Sequence, residues 1–291
     1  MLPRLLAAIF WAALLATTAM PTYAALGTAD GDATTAVVNT PPTATLGPLS
    51  HIVQTMNNCG PASVAEVLGY WGIKKTQADV QSVLRADGNS GGMSPFGIPS
   101  YARGLGLTTL MGAGGSDELV KAFIANGLPV IVSQWVSLTD HYGHYRPIEA
   151  YDDKRGVFVS SDPYLGDNHA ISYKEFDAIW ASNNDRFYLI YPPSKQPLVD
   201  SIVASTGWDP TDSYMADIAI QQARINGGVG APSGWGFRTG YSALSMAWDN
   251  LQLGDYAATQ RALDVAAQQH TSPVLTNWIA GEMAYRQGRP A

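Results

Sequence analysis

The chain has 291 residues, 46% hydrophobic and 14% charged, with 24 acidic against 17 basic side chains and a formal net charge of −7. That length suffices for a substantial core, and the acidic balance with no basic face excludes a nucleic-acid partner. One cysteine, Cys59, excludes an internal disulfide.

Arg4 precedes LLAAIFWAALLATTAM and Pro21-Thr22-Tyr23-Ala24. One positive charge, an apolar core and small residues predict a signal peptide over 1–24, and hence export to the periplasm, cell surface or medium. A retained anchor is the alternative, since the run is about as long as the shortest spanning helices. Once it is removed, no stable membrane span is expected. Residues 25–46, rich in Ala and Thr with Gly and Pro, read as a flexible tether.

A folded domain is expected over 47–193. His51-Ile52-Val53 reads as a short strand leading to Gln54. In QTMNNCGPASVAEVLGYW, Val64, Val67, Leu68 and Trp71 fall at i, i+3, i+4 and i+7, one buried helix face. Pro61 is tolerated in a first helical turn, which places Cys59 at the N-terminus of that helix. The positive dipole end there favours thiolate over thiol. Thr76, with Asp79 three residues on, opens a second helix over 76–86. Ser94-Pro95 to Leu105 predicts a third. Ser116 caps a fourth that Gly127 stops. Pro129 and the following Val-Ile-Val form a buried strand.

GHYRPIEAYDDKRGVFVSSDPYLG has the pattern of a β-hairpin. His144 lies near the start of its first strand and Asp162 at the end of its second. A carboxylate and an imidazole on adjacent strands can meet, whereas spacing alone does not bring Cys59 to them. His141 and His144 form an H-x-x-H pair with no companion zinc motif, so no metal or other cofactor is expected. The Gly112–Gly115 run lacks the trailing Lys and Ser/Thr of a phosphate loop.

Gln54, NNCGPAS, GHYRPIEAYDD, SSDPYLG, and ISYKEFDAIW followed by FYLIYPP resemble, in order, the papain-like cysteine peptidases of the bacteriocin-leader-processing, double-glycine (C-thirty-nine-like) family. The resemblance implies an α+β fold with a helical lobe against an antiparallel sheet. It implies Cys59 as nucleophile, His144 as general base and acid, Asp162 as its orienter, and Gln54 with the Cys59 amide as oxyanion donors. The substrate would be a peptide or protein. Glu149 and Arg146 depart from the family's apolar strand positions, and Ala150 from its usual Gly. Two other readings stay open: acyl transfer by the same triad, and a catalytically silent peptide-binding module.

Residues 194–212 read as a linker and 213–291 as a helical tail. Helices are expected over Ser213–Asn226, Tyr241–Leu253 and Tyr256–Ala267. Gly254 and Gly288 stand 34 residues apart, the tetratricopeptide period, so the tail resembles about one and a half such units; an ordinary helical hairpin is the alternative. Its role would be packing, self-association or binding a protein partner.

Overall fold

The computed structural model describes residues 38, 40–47, 49–85, 92–227 and 239–289, all within one compact unit. The predicted signal segment, most of the tether and most of the 227–240 loop lie outside the described residues.

In chain order the elements are β1 (Thr43–Thr45), α1 (Cys59–Tyr70), α2 (Gln77–Leu84), α3 (Ile98–Gly104), β2 (Thr108–Gly112), α4 (Asp117–Ala125), β3 (Val130–Trp135) and β4 (Gly143–Asp152). There follow β5 (Val157–Asp162), β6 (Gly166–Ser172), α5 (Tyr173–Trp180), β7 (Phe187–Tyr191), α6 (Gln196–Thr206), α7 (Pro210–Ile225), α8 (Thr239–Gln252), α9 (Tyr256–Gln268) and α10 (Pro273–Arg286). The local signals account for many of these boundaries. Thr76 and Asp79 form a reciprocal capping box at α2, and Ser116 accepts the Leu119 N–H at α4.

The sheet is antiparallel, ordered β2-β7-β3-β4-β5-β6, with β1 pairing the far end of β4. Alternation along the central strands splits the core in two. Ile131, Tyr145, Tyr188 and Ile190 face α1, packing with its Val64, Val67 and Leu68. Val130, Val132, Ile148 and Leu189 face the opposite way, onto Phe123 of α4, Phe176 of α5 and Ile202 of α6. The expected helical lobe against an antiparallel sheet is therefore present, with helices on both faces.

Several expectations need correction. His51-Ile52-Val53 is not a strand; the segment is held by single hydrogen bonds, including Gln54 N–H to the Pro163 carbonyl at 2.9 Å. The tether's last residues are ordered, because β1 pairs with β4 at Thr43–Asp152. The expected linker carries α6, whose Val199 and Ile202 are buried against the sheet.

The tail helices join the α1 side of the core. Leu244, Trp248, Leu263, Leu275 and Ile279 are buried in the same cluster as Cys59 and Leu68; full burial of such a side chain stabilises by about 1.5–3 kcal/mol. Polar clamps fix the docking. Buried Arg186 pairs with Asp217 of α7 and lies 3.6 Å from Asp249 of α8. Arg103 of α3 reaches Glu282 of α10 at 2.8 Å.

Candidate active site

The approach to Cys59 is a strapped turn. Asn57 adopts φ +59°, a left-handed conformation that asparagine tolerates better than most residues. Asn58 is buried; its side-chain amide donates to Thr55 Oγ1 (2.7 Å) and Gln81 Oε1 (2.8 Å), and its oxygen accepts from Arg85 (2.7 Å). These bonds hold the residue before the cysteine against α2. Cys59 then opens α1, 6% exposed, with no acidic residue in the first turn to offset the dipole. Gly60 is required here: a Cβ would stand 2.7 Å from the Met93 side chain.

His144 is the second residue of β4, directly across from Gln134 of β3. Ser160 of β5 pairs with Ile148; beyond that pair, Asp162 at the end of β5 meets Arg146, and the Tyr164 ring lies edge-on to His144 with centroids 6.3 Å apart. Asp162 is fully buried and densely partnered. Its Oδ1 meets His144 Nε2 at 2.9 Å and accepts the backbone N–H groups of Tyr164 (2.8 Å) and Leu165 (2.9 Å). Its Oδ2 lies 3.1 Å from Arg146 Nε.

The electrostatics follow from these contacts. Burial pushes the Asp162 carboxyl up, but the bond and charge of His144, then the charge of Arg146, outweigh it and hold the pKa far below the usual range. Burial pulls His144 down; its bonds to Asp162 and Cys59 reverse this and leave it raised. Burial pushes the Cys59 thiol up; the hydrogen bond and charge of His144 reverse this and leave it lowered. With Nε2 committed to Asp162, Nδ1 is the nitrogen left for the thiol. Opposite shifts in the two partners favour a thiolate–imidazolium pair over two neutral groups.

Of the four residues singled out from the sequence, Cys59, His144 and Asp162 thus form one connected set. Gln54 enters the turn that ends at Cys59, and its backbone is tied to Pro163 beside Asp162. Its Oε1 is buried without a partner among the described residues. His141 does not join: it stacks on Trp135 with ring centroids 3.8 Å apart, and its Nε2 meets the Leu138 carbonyl. The two histidines of the H-x-x-H pair are committed to different partners.

Sequence reasoning missed two contributors. Arg146 stands two residues after His144, hence on the same face of β4, a spacing that carried the signal. Glu66 lies two helical turns after Cys59. It is buried, accepts the Ile52 N–H at 2.8 Å, and sits 3.7 Å from His51, which bonds Ser161 next to Asp162. Nothing in its spacing announced that role.

Residues 47–187, just under half the chain, match the model of the Peptidase_C39 like family. No curated protein matches significantly. Among solved structures, the chain is 22% identical to the peptidase domain of Streptococcus ComA, a bi-functional ABC transporter involved in quorum sensing. That match covers 48% of this chain and 96% of that domain, with a TM-score of 0.38. A double glycine motif protease from an AMS/PCAT transporter, solved with its leader peptide, is 20% identical over 51% of this chain and 94% of its own, TM-score 0.39. A Bacillus anthracis protein described as a C39-like peptidase is 14% identical over 51% and 96%, TM-score 0.42.

Residues 47–187 are thus a C39-like peptidase-fold domain, followed by C-terminal helices. None of the comparisons supports a tetratricopeptide assignment for those helices. The expectation of export is overturned: two of the matched structures are described as peptidase parts of transporters. Among the described residues, no helix is long and apolar enough to cross a membrane.

Proposed function

We propose that this protein is a papain-like cysteine peptidase in which Cys59 is the nucleophile. The observation that carries the reading is the connected set: an imidazole bonded to a buried carboxylate on one side and lowering the pKa of a buried cysteine on the other. The Cys59 thiolate adds to a peptide carbonyl, and the carbon–nitrogen bond breaks as the His144 imidazolium gives its proton to the leaving amine. Water then adds to the thioester, His144 takes its proton, and the carbon–sulfur bond breaks to release the acid. Asp162 holds the ring and stabilises its cationic form. The Cys59 N–H and the Gln54 side chain donate to the oxyanion.

A thiol-directed peptidyl probe and a peptide library test this. Wild-type protein is expected to label at Cys59 and to cleave. Cys59→Ala is expected to do neither while melting at the same temperature, with rates down by several orders of magnitude. Cleavage by folded Cys59→Ala protein would overturn the assignment.

A further inference from the structure

A partly open pocket adjoins this site, with a cavity volume of about 80 Å³, room for a single side chain rather than a larger ligand. Two of its lining residues, Gly143 and Tyr145, flank His144 in sequence, and a third, Gln134, is its cross-strand partner. Met93, on the near wall, covers Gly60 beside the nucleophile. The far wall comes from α8, through Tyr241 and Ser245. The C-terminal helices therefore complete a cavity whose wall includes the sequence neighbours of the candidate catalytic histidine, though not the histidine itself.

A third of the lining is aromatic, with Phe96, Trp135 and Tyr188 joining Tyr145 and Tyr241. It also holds polar groups with nothing to bond. Gln134 is 1% exposed, yet neither Nε2 nor Oε1 has a partner among the described residues; Ser94 Oγ, 4% exposed, is in the same state. Buried donors and acceptors are almost always paired, so an orphaned amide beside a pocket has hydrogen-bonding capacity left over. Arg186 also reaches the lining, but its charge is met by Asp217 and Asp249. An acidic occupant would find no uncompensated cation, and a basic one would face a guanidinium.

We propose that the pocket is a specificity subsite that takes a tyrosine side chain of the substrate, close to the scissile bond. The proposal rests on the peptidase reading. An uncharged aromatic body fits the rings, and the phenol O–H can donate to Gln134 Oε1 while its oxygen accepts from Nε2 or from Ser94.

The test uses the full chain and peptides in which Tyr, Phe, Leu, Glu, Lys or Gly replaces each residue in turn on both sides of a cleaved bond. At one position, wild-type kcat/KM is expected to rank Tyr above Phe by about tenfold, the effect of one added hydrogen bond, and both above Glu and Lys. Gln134→Leu is expected to bring the Tyr-to-Phe ratio towards one. Ser245→Trp, which fills the pocket from α8, is expected to remove the preference for large residues. Cleavage with no aromatic preference at any position overturns the proposal alone, as does a Tyr-to-Phe ratio unchanged in folded Gln134→Leu protein. Absence of all cleavage and of Cys59 labelling overturns the peptidase reading and this proposal with it.

Discussion

Replacing Glu66 by Gln is expected to stabilise the protein at mildly alkaline pH and to leave it nearly unchanged only at or below the ordinary carboxyl value of 4.5. Burial pushes the Glu66 carboxyl from an ordinary 4.5 up to about 8, against the pull of the Ile52 N–H and Ser161, with Glu149 and Asp162 adding repulsion. Between those two values the folded state keeps a proton that the unfolded chain has released, so stability falls as pH rises through the window. The interval from 4.5 to about 8, at about 1.4 kcal/mol per unit, sets a ceiling of about 5 kcal/mol on the loss. Glutamine cannot ionise, and its side-chain oxygen can still accept the Ile52 N–H. Urea unfolding of both proteins across the window measures the difference directly, because the other titrating groups are common to both. The variant's advantage should grow with pH to about 3–5 kcal/mol at the upper end. An advantage independent of pH would refute the reasoning, since Glu66 would then titrate alike in folded and unfolded chains.

Gln54→Ala is expected to lower kcat by about a hundredfold with little change in KM, because the oxyanion exists only on the way through the tetrahedral intermediate; steady-state kinetics on a cleaved peptide checks the split. Asp217→Ala leaves the buried Arg186 guanidinium with Asp249 alone and should cost about 3–5 kcal/mol in urea unfolding, as breaking one partner of a buried pair does.

The sequence carried those parts of the fold that rest on local signals. The apolar face of α1, the N-terminal caps of α2 and α4 and the hairpin of β4 and β5 are all local. So is the placement of His144 and Asp162 on adjacent strands, since a hairpin is a contact between neighbours in sequence. Bringing Cys59 to His144 is different. It depends on α1 packing across β4, where Ser63 Oγ donates to the Tyr145 carbonyl at 3.1 Å, and no pattern within either segment encodes that. The same holds for Glu66, whose value lies in which loop covers it. The tail's helices were legible from their periodicity. That they share a core with Cys59 was not, because an apolar helix face does not name its partner. Arg146 was visible but read only as a departure from the usual strand composition; its role emerges once Asp162 meets it.

The pH dependence of Cys59 alkylation tests the central claim most directly. The bond and charge of His144 outweigh burial at the thiol. An apparent pKa below the free-thiol value of about 8.5 is therefore expected in the wild type. In His144→Ala, burial is left unopposed by the imidazole and the value should rise above that of a free thiol. A wild-type pKa at or above the free-thiol value, unmoved by the loss of His144, would contradict the thiolate–imidazolium pair on which the account stands.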